Sequence, residues 1–368
     1  MNNIYEINML NAQRDVDTGR VKQESPVVEV FSALTSGVAP KVDAKTKDAA
    51  VKTLKDLGAK AHEGDKEARS EVNSIVRFAI QPKLLKQIEL YRFLGSHKKL
   101  DWNEAAYMKT YNYESIDSRF QASSGDVPFG FVNWREYPIA TQTISGGIAV
   151  DYREIATGNF DGNLAEAMNQ VKIDMQNKIG YYTINTLYNA IKYAKGVKHF
   201  SEAAGVSKLA VDDMLKVMRR YGKVNICGDY SVVSQINEFE GFKTIGAVTI
   251  PFGDATVAEE IRKTGLVNWY NGAFVTELQN QINFTKLNAT GDDYELYMPQ
   301  GLLFFLPEGA VSPVQSFVRG NLTTMSGDDI VTRQHMIRLD LEFGVGVAEG
   351  MEHQIGLISD SNYDLPTV

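Results

Sequence analysis

The spacing of hydrophobic and polar residues changes abruptly near the middle of the chain. Two arms rich in Tyr, Thr, Ile and Trp, Tyr107–Glu114 and Trp134–Tyr152, flank a tip of Ser, Gly, Asp and Pro, which is typical of a long β-hairpin. From Asn163 to Lys195 apolar residues then recur every three or four positions, which predicts one helix of about 50 Å. We therefore expect an extended hairpin followed directly by a long helix.

Neither of these two elements is able to bury its own apolar surface. A long hairpin has too little local core to be stable alone, and a helix of this length exceeds the usual globular range. Both become stable when identical copies of the chain lie against one another. The pattern therefore predicts a subunit of a larger assembly.

The preceding residues, 1–100, are predicted to form an arm instead of a domain. Residues 11–48 are polar and loosely patterned. Helical patterns follow over Lys45–Ala61, Lys66–Phe78 and Pro82–Leu94, and the proline of the third pattern suits the first turn of a helix.

The second half of the chain predicts a compact lobe and a final strand. Between residues 201 and 310, helical patterns alternate with buried strand patterns such as KVNICG and LLFFL, which indicates an α+β or α/β lobe. From Ile337 to Val347 apolar residues occupy every second position, which is typical of a strand with one buried face. We expect this strand to pair with strands near residue 150, at the base of the hairpin.

Composition and charge argue against a nucleic-acid coat and a membrane-spanning protein. The chain has 368 residues, of which 43% are hydrophobic and 23% charged, as in a soluble globular protein with a sizeable core. Its net charge of −8 opposes a nucleic-acid coat, which needs a basic face, but allows a wall that encloses DNA without binding it tightly. No apolar run is long enough for a membrane span, and the single cysteine is typical of a reducing compartment.

No motif in the sequence predicts catalysis. The five histidines include no pair at helical spacing, and the paired acids Asp292–Asp293 and Asp328–Asp329 lie in glycine-flanked turns, where turn chemistry accounts for them. Cys227 lies in a buried strand pattern, which is typical of an inert core residue. We therefore expect a protein that is not an enzyme, with no catalytic residue, no cofactor and no metal site.

Two groups of residues are predicted to serve assembly. Apolar residues in and beside the hairpin tip are expected to contact a neighbouring subunit, because exposed apolar groups mark contact surfaces; they are Phe120, Val127, Phe129, Phe131 and Trp134. The alternative is a small private core within the loop. Glycines at the joints are predicted hinges, and they are Gly146, Gly147, Gly158 and Gly162.

The order of these elements and several long phrases resemble a tailed-bacteriophage major capsid protein with the Hong Kong 97-like fold. The phrases are YMKTYNYESIDSRFQASSGDVPF, WREYPIATQTISGGIAVDYREI, GDYSVVSQINEFEGF, LLFFLPEGAVSPVQSF and RLDLEFGVGVAEGMEHQIGLISD. The resemblance implies an α+β fold with an N-terminal arm (1–100), an extended β-hairpin loop (101–152), a peripheral domain with a long spine helix (153–200), an axial α/β domain (201–310) and a return strand of the peripheral domain (311–368).

The resemblance also implies a role and partners. Copies of such a protein form the hexamers and pentamers of an icosahedral shell around double-stranded DNA. A separate scaffolding protein, a portal and maturation factors are the implied partners, with assembly in the host cytoplasm and the mature protein in the virion. Some members of the family are crosslinked through a hairpin lysine, but the only lysine of this hairpin, Lys109, lies near its base.

Two other functions stay open at this point. An encapsulin-like nanocompartment shell shares the fold and encloses enzymes instead of a genome. The third candidate is an enzyme or ligand-binding protein with an unrecognised site in residues 201–310. The size of the purified protein separates shells from the third candidate, and nucleic acid inside the particles separates a phage shell from a nanocompartment.

Overall fold

The computed structural model describes most of the chain and confirms the α+β class. The described residues are 25–35, 40–86, 96–114, 120, 131–150, 152–158, 163–240, 242–245, 248–251, 255–288, 291–308, 313–329, 334–363 and 365–366. The helices are α1 (Pro26–Thr35), α2 (Ala44–Glu63), α3 (Lys66–Lys86), α4 (Tyr152–Thr157), α5 (Asn163–Lys192), α6 (Lys208–Met218), α7 (Tyr230–Val233), α8 (Asn237–Glu240) and α9 (Ala255–Thr264). Short 3-10 turns occupy Ser234–Ile236 and Glu352–Gln354.

The strands follow the implied order of hairpin, lobe and return strand. They are β1 (Ser96–Leu100), β2 (Tyr107–Glu114), β3 (Phe131–Pro138), β4 (Gln142–Val150), β5 (His199–Ala203), β6 (Lys223–Gly228), β7 (Phe242–Ile245), β8 (Val248–Pro251), β9 (Trp269–Tyr270), β10 (Ala273–Glu277), β11 (Ile282–Leu287), β12 (Tyr294–Leu296), β13 (Leu302–Glu308), β14 (Val314–Asp329), β15 (Gln334–Val347) and β16 (Gly356–Asp360). Within the described residues they form a four-stranded sheet, β1-β14-β15-β4, a six-stranded sheet, β5-β16-β13-β6-β10-β9, and the hairpins β2–β3, β7–β8 and β11–β12.

The chain has two compact units, each built from several segments. Unit 1 comprises Met1–Ile88, Thr143–Ile179 and Gly320–Glu342. Unit 2 comprises Glu89–Gln142, Gly180–Arg319 and Phe343–Val368.

Unit 1 contains a helix that the pattern of the arm did not predict. The buried apolar residues of α1 are Val27, Val28, Val30 and Phe31. The helix contacts both α2 and α3, and because two neighbours cover it, its apolar residues form a nearly continuous run instead of a one-sided stripe. The description of residues 11–48 as loosely patterned is corrected here, since a packed helix occupies part of that segment.

The helix α2 confirms the predicted amphipathic helix and extends it slightly at both ends. Its buried stripe consists of Ala50, Leu54, Leu57 and Ala61. Gly64 ends the helix with a left-handed φ of 102°, a conformation that glycine adopts without strain. A Cβ at Gly58 would lie 2.7 Å from the backbone nitrogen of Ala156, so glycine lets α2 and α4 approach closely.

The next helix corrects the prediction of two separate helices. The structure shows one helix, α3, that continues through Pro82 to Lys86. Pro82 lacks the N–H that would complete one backbone hydrogen bond, but only four described helical residues follow it, so little of the helix depends on that bond. Residues 87–94, the rest of the third predicted helix, lie outside the described residues.

The long helix is confirmed almost to its last residue. The structure places α5 over Asn163–Lys192, against a predicted end at Lys195. Both predicted apolar stripes contain buried side chains, namely Met168, Met175 and Ile179 in the first part and Ile184, Leu187 and Ile191 in the second.

The hairpin is real, but its return arm is two strands instead of one. The β2–β3 ladder runs from Tyr107 opposite Pro138 to Glu114 opposite Phe131. The arm expected over Trp134–Tyr152 is interrupted at Pro138, where β3 ends, because proline has no N–H to extend the ladder. The backbone N–H of Ile139 donates to Ala106 at 2.8 Å and closes the base, after which β4 joins the four-stranded sheet.

The six-stranded sheet is the core of unit 2. Strand β6 is parallel to β10 and antiparallel to β13, and α6 contacts β13 and β16. Side chains such as Ile226, Leu303 and Phe305 are fully buried, as the KVNICG and LLFFL patterns predicted. Burial raises the pKa of the Cys227 thiol to about 12, so the thiol stays protonated, as expected for an inert core residue.

The last long strand is confirmed together with its predicted partner. The buried alternate residues of β15 are Ile337, Leu339, Leu341, Phe343 and Val345. Strand β4, which ends at Val150, lies beside it, and β14 lies on its other side. The sequence analysis missed β14 because Gly320 and several polar residues interrupt its alternation.

Candidate assembly surface

One face of the β2–β3 hairpin presents aromatic and charged side chains to solvent. Residues directly opposite each other in an antiparallel ladder share a face, and the ladder pairs Tyr107 with Pro138 and Lys109 with Glu136. Trp134 lies on this face and is 58% exposed, while Tyr107 is 47% exposed. We call this surface, made of Tyr107, Lys109, Trp134, Glu136 and Pro138, the aromatic face.

The side chains of the aromatic face hold one another in place. The Nζ atom of Lys109 is 4.8 Å from the centroid of the Trp134 ring and 3.0 Å from Oε1 of Glu136. The ammonium group thus interacts with the indole face and with a carboxylate at the same time. A large aromatic side chain that is ordered before binding loses little conformational entropy when a partner covers it.

The opposite face of the hairpin is buried at its base. Met108 is 1% and Thr110 7% exposed, and Ala106, just before the strand, is 3% exposed. The pairing of Met108 with Tyr137 continues this face on β3. The hairpin is therefore anchored on one side and exposed on the other, which is the arrangement expected for an element that projects to a partner.

The structure places only some of the predicted contact residues. Phe120 is fully exposed, and Trp134 belongs to the aromatic face. Phe131 begins β3, with its backbone opposite Glu114. Val127 and Phe129 lie outside the described residues, so the contact that they make stays a prediction.

The glycine pair at the base of the hairpin lies within a strand. Gly146 and Gly147, the predicted hinge residues, are inside β4. A Cβ at Gly146 would lie 2.7 Å from Cγ1 of Val171 and 3.2 Å from Sδ of Met175, whereas a Cβ at Gly147 meets nothing within 4 Å. Gly146 therefore has a packing reason to be glycine, and the proposed hinge function of both residues stays a prediction.

The predicted hinge before the long helix is only partly described. Gly158 follows α4 with a left-handed φ of 80°, and its N–H donates to the carbonyl of Ile155 at 3.1 Å. A Cβ there would meet only the flexible end of the Lys55 side chain, so the left-handed φ is the reason that the position favours glycine. Gly162 lies outside the described residues.

A buried carboxylate in unit 2 has a structural explanation. Asp360, at the end of β16, is 0% exposed and accepts hydrogen bonds from the backbone N–H of Gly205 at 2.8 Å and Asn362 at 3.0 Å and from Nε2 of Gln235 at 3.0 Å. Burial alone would raise the pKa of Asp360, but these donors outweigh it and hold the pKa below its usual value. The carboxylate of Asp360 therefore links the backbone at Gly205 and the 3-10 turn that contains Gln235 to strand β16.

A small cavity lies beside polar residues of the lobe. A cavity of about 10 Å³, lined in part by Asp229, Asn280 and Met298, has the volume of roughly one water molecule. Among the described residues, no group of three or more His, Cys, Asp or Glu side chains is arranged to hold a metal ion.

A second exposed surface was missed by the sequence analysis. Strands β11 and β12 form a hairpin whose exposed apolar residues are Ile282, Phe284, Leu287 and Tyr294. Part of the signal was present in the sequence, because apolar and polar residues alternate in INFT and a glycine-containing turn follows a few residues later. The short length of both strands, six and three residues, weakened that signal.

Comparisons with known proteins point to capsids. A family model described as SPbeta prophage-derived putative capsid protein YonB matches residues 8–359. A search of curated proteins gives no match. In the part of the chain that the structure describes, no helix has the length and apolar character needed to cross a membrane.

Several solved structures are similar to this chain. The capsid structure of the cyanophage P-SCSP1u has a TM-score of 0.48 and 8% identity, covering 73% of this chain and 87% of that chain. The mature capsid of bacteriophage PhiM1 has a TM-score of 0.46 and 11% identity, covering 75% and 87%. The holo-SrpI encapsulin complex from Synechococcus elongatus PCC 7942 has a TM-score of 0.45 and 10% identity, covering 77% and 93%.

Proposed function

The chain belongs to the family of prophage-derived capsid proteins described as YonB and is a shell protein, and we propose that its copies form the hexamers and pentamers of an icosahedral phage shell around double-stranded DNA. In this role the protein acts by assembly and not by catalysis. It is a component of the virion, and its assembly takes place in the host cytoplasm.

The aromatic face of the β2–β3 hairpin is the observation that carries the assembly proposal. Its base is anchored through Met108 and Thr110, while Trp134 stands 58% exposed in contact with Lys109. Such an arrangement suits a clamp that lies across a neighbouring copy, because an exposed, ordered Trp is a typical centre of a protein–protein contact.

The wider contact of the hairpin extends from the aromatic face to its tip. Apolar residues in the tip would be covered by the same neighbour, and they are Phe120, Val127, Phe129 and Phe131. Repeating one modest contact around a shell gives a stable particle through multivalency.

The domain roles follow from the same proposal. Residues 1–100 form the arm, 101–152 the hairpin loop, 153–200 the part of the peripheral domain with the spine helix, 201–310 the axial domain and 311–368 the peripheral return strand. The candidate hinges would absorb the different angles between copies in hexamers and pentamers, and they are Gly146, Gly147, Gly158 and Gly162.

The partners in this proposal are other proteins of the particle and the genome. A separate scaffolding protein, a portal and maturation factors would act with the shell. The net charge of −8 supports a wall that encloses DNA without sequence-specific binding, because tight binding would require a basic surface. Lys109 is paired with Glu136 at 3.0 Å, which supports a shell without a covalent crosslink at this lysine.

The experiment that tests the clamp replaces the hairpin tip and measures particles. In one variant an Asn-Gly turn replaces residues 115–130, so that β2 and β3 keep their ladder. In a second variant Trp134 is changed to Ala. We expect folded subunits by circular dichroism and at least a tenfold loss of sedimenting particles in both, because each variant removes part of the surface that a neighbour covers.

Trp102→Ala is the matched control, since Trp102 is similarly exposed at 53% but lies outside the paired strands of the hairpin. Its particle yield should equal that of the wild type. Normal shells from the tip replacement would show that the hairpin is not the clamp. A wild type that stays monomeric at high concentration would contradict the shell function itself.

The contents of the particles test the second part of the proposal. Shells isolated from cells that also express the packaging proteins should contain double-stranded DNA protected from nuclease. Particles that instead contain a cargo enzyme and no protected DNA would favour the nanocompartment.

A further inference from the structure

The hairpin β11–β12 has an apolar face that no residue of the described chain covers. We call β11, β12 and the turn between them the acidic hairpin. Phe284 is 69% exposed, and its ring meets that of Tyr294 edge to face with centroids 5.5 Å apart. Leu287 is 56% exposed and is the ladder partner of Tyr294. These side chains form one exposed apolar surface on a two-stranded element that is too small to bury it.

The tip of the acidic hairpin carries negative charge. Asp292 and Asp293 are exposed in the turn, whereas Glu295 lies 3.8 Å from Lys286, which offsets its charge. The side-chain oxygen of Asn288 accepts the backbone N–H of Asp292 at 3.1 Å and holds this residue in place. The hairpin therefore presents an apolar face beside two carboxylates in a defined position.

The base of the acidic hairpin is attached firmly to the six-stranded sheet. The side-chain amide of Asn280 donates to Oδ2 of Asp229 at 2.9 Å and to the carbonyl of Met298 at 2.7 Å. Its side-chain oxygen accepts the backbone N–H of Met298 at 3.0 Å. These bonds link both ends of the hairpin to the residue that follows β6, so the hairpin is ordered before it meets a partner.

A basic and aromatic surface of the same unit has the complementary character. We call it the basic edge, and it consists of Arg219, Arg220, Lys223 and Trp269. Trp269 lies in the edge strand β9 and is 51% exposed, with Nζ of Lys223 5.1 Å from its ring centroid. In the described residues, none of the three cations takes part in an ion pair. Exposed Trp and Arg residues together are typical of binding hot spots.

The strand directions place these two surfaces at opposite ends of the sheet. Strands β6 and β10 are parallel, with Phe274 opposite Asn225 and Glu277 opposite Gly228. The residues of the basic edge lie just before or at the start of β6 and just before β10, and the acidic hairpin follows the end of β10. Five extended residues span about 17 Å, so the two surfaces of one copy are held apart by the length of the sheet.

We propose that the acidic hairpin of one copy docks on the basic edge of the next copy. Phe284 and Tyr294 would cover Trp269, and the carboxylates of Asp292 and Asp293 would face the arginines. Two different surfaces at opposite ends of one sheet make a head-to-tail contact, which closes as a ring when the rotation between copies permits. An apolar centre with a rim of opposite charges is the usual composition of such a contact.

This contact rests on the proposed function, because it supplies the ring within a capsomer. It differs from the clamp of the β2–β3 hairpin in its residues, and the two contacts are separable by mutation. The basic edge binds a second copy of this chain in this proposal, and its charge is matched by the acidic hairpin without any need for nucleic acid.

Charge reversal on each surface tests the pairing. One variant carries Asp292→Lys and Asp293→Lys, a second carries Arg219→Glu and Arg220→Glu, and a third combines all four changes. Either reversed pair should lower the yield of sedimenting particles at least tenfold, because like charges then face each other. The combined variant should recover the wild-type yield to within about threefold, since opposite charges face each other again.

A control variant with Asp56→Lys and Glu349→Lys changes the net charge as much as the reversed acidic hairpin does. Both residues are exposed and lie outside the two surfaces, so this variant should assemble like the wild type. Phe284→Ser probes the apolar part of the contact without changing charge and should lower the yield at least tenfold. Circular dichroism and melting curves identify any variant that fails to fold.

The outcomes separate this inference from the proposed function. Normal assembly of either reversed pair, or a combined variant no better than its parents, overturns the head-to-tail contact while leaving the shell function intact. Restoration in the combined variant supports the contact. A wild type that forms no particles under the same conditions overturns both.

Discussion

The six-stranded sheet and the β2–β3 hairpin belong to the same unit but place their apolar residues differently. In the sheet, Phe305 and Ile226 are fully buried, and even the carboxylate of Asp360 is buried with three hydrogen-bond donors. In the hairpin, Trp134 and Tyr107 are about half exposed. The central strands of the sheet therefore bury their side chains within one chain, whereas the hairpin leaves large aromatic side chains exposed, as the proposed clamp requires.

Under the proposed function, this difference separates the residues that stabilise the subunit from those that contact a neighbouring copy. Changes in the sheet should act on the free energy of unfolding of the single chain. Changes on the aromatic face should act on particle formation and leave the folded chain almost as stable as before. The four predictions below test that separation, beginning with the largest expected effect on stability.

Truncation of a core aromatic should have the largest effect. Phe305→Ala removes a fully buried ring from β13, and we expect a loss of about 3–5 kcal/mol in the free energy of unfolding because a cavity replaces it. Trp134→Ala, measured in the same urea titration on dissociated subunits, should change that free energy by less than about 1 kcal/mol. Equal losses in the two variants would contradict the comparison.

Neutralising the buried carboxylate should have the next largest effect and change the response to acid. Asp360→Asn should cost about 1–3 kcal/mol at neutral pH, because it replaces an ion that accepts three hydrogen bonds. The pKa of Asp360 is lowered in the folded chain, so its stabilising contribution is complete above its unfolded pKa of about 3.9 and is lost as the pH falls through the folded pKa.

The stability of the wild type should therefore fall more steeply with acid below about pH 4 than that of Asp360→Asn. Melting temperatures from pH 7 to pH 2.5 would measure the difference. Parallel pH curves for the two proteins would show that the folded and unfolded pKa values of Asp360 do not differ.

Substitutions at the two adjacent glycines of β4 test whether these residues are needed for close packing or for bending of the chain. Gly146→Ala should cost about 1–3 kcal/mol, because its Cβ would lie 2.7 Å from Cγ1 of Val171. Gly147→Ala meets nothing within 4 Å and should be neutral or slightly stabilising. If both glycines act as a hinge, both variants should instead reduce particle yield at unchanged stability, which thermal melting and sedimentation together would reveal.

The smallest effect is expected at the ion pair of the aromatic face. Lys109→Met removes the pair with Glu136, whose two side chains are 58% and 36% exposed, so the free energy of unfolding should change by less than about 1 kcal/mol. The change should shrink in 1 M salt, since screening already weakens the pair. A loss of several kcal/mol in the free energy of unfolding would show that the hairpin stabilises the single chain, as the sheet does.

Several elements were predictable because their patterns are long or uniform. Helix α5 repeats its apolar positions over 30 residues, and β15 alternates over five buried residues, so no single deviation obscures the period. The buried runs of β6 and β13 were equally clear. The resemblance to a phage capsid protein rested on the order of these elements, and the family match over residues 8–359 confirms it.

The missed elements share a physical cause, which is dependence on neighbours. Helix α1 is covered by two helices and lacks a one-sided stripe, and α3 continues through Pro82 although local rules favour a break there. The sequence predicted one arm where the structure has two strands, β3 and β4, which belong to different sheets. The apolar face of the acidic hairpin is exposed within the described chain. Its role can therefore be inferred only from the contact that we propose with a second copy.

The amino-acid sequence by itself determined the long and regular elements, such as α5 and β15, because their periods are local and uninterrupted. The order of these elements was enough to identify the class of protein. Only the tertiary structure decided which faces of the two exposed hairpins are buried and which stay open. It showed that Trp134 is exposed while Met108, on the other face of the same hairpin, is buried, and that the acidic hairpin and the basic edge lie at opposite ends of one sheet. The covering of a hairpin face and the pairing direction of a strand depend on residues distant in sequence, so the local pattern of these hairpins did not reveal them.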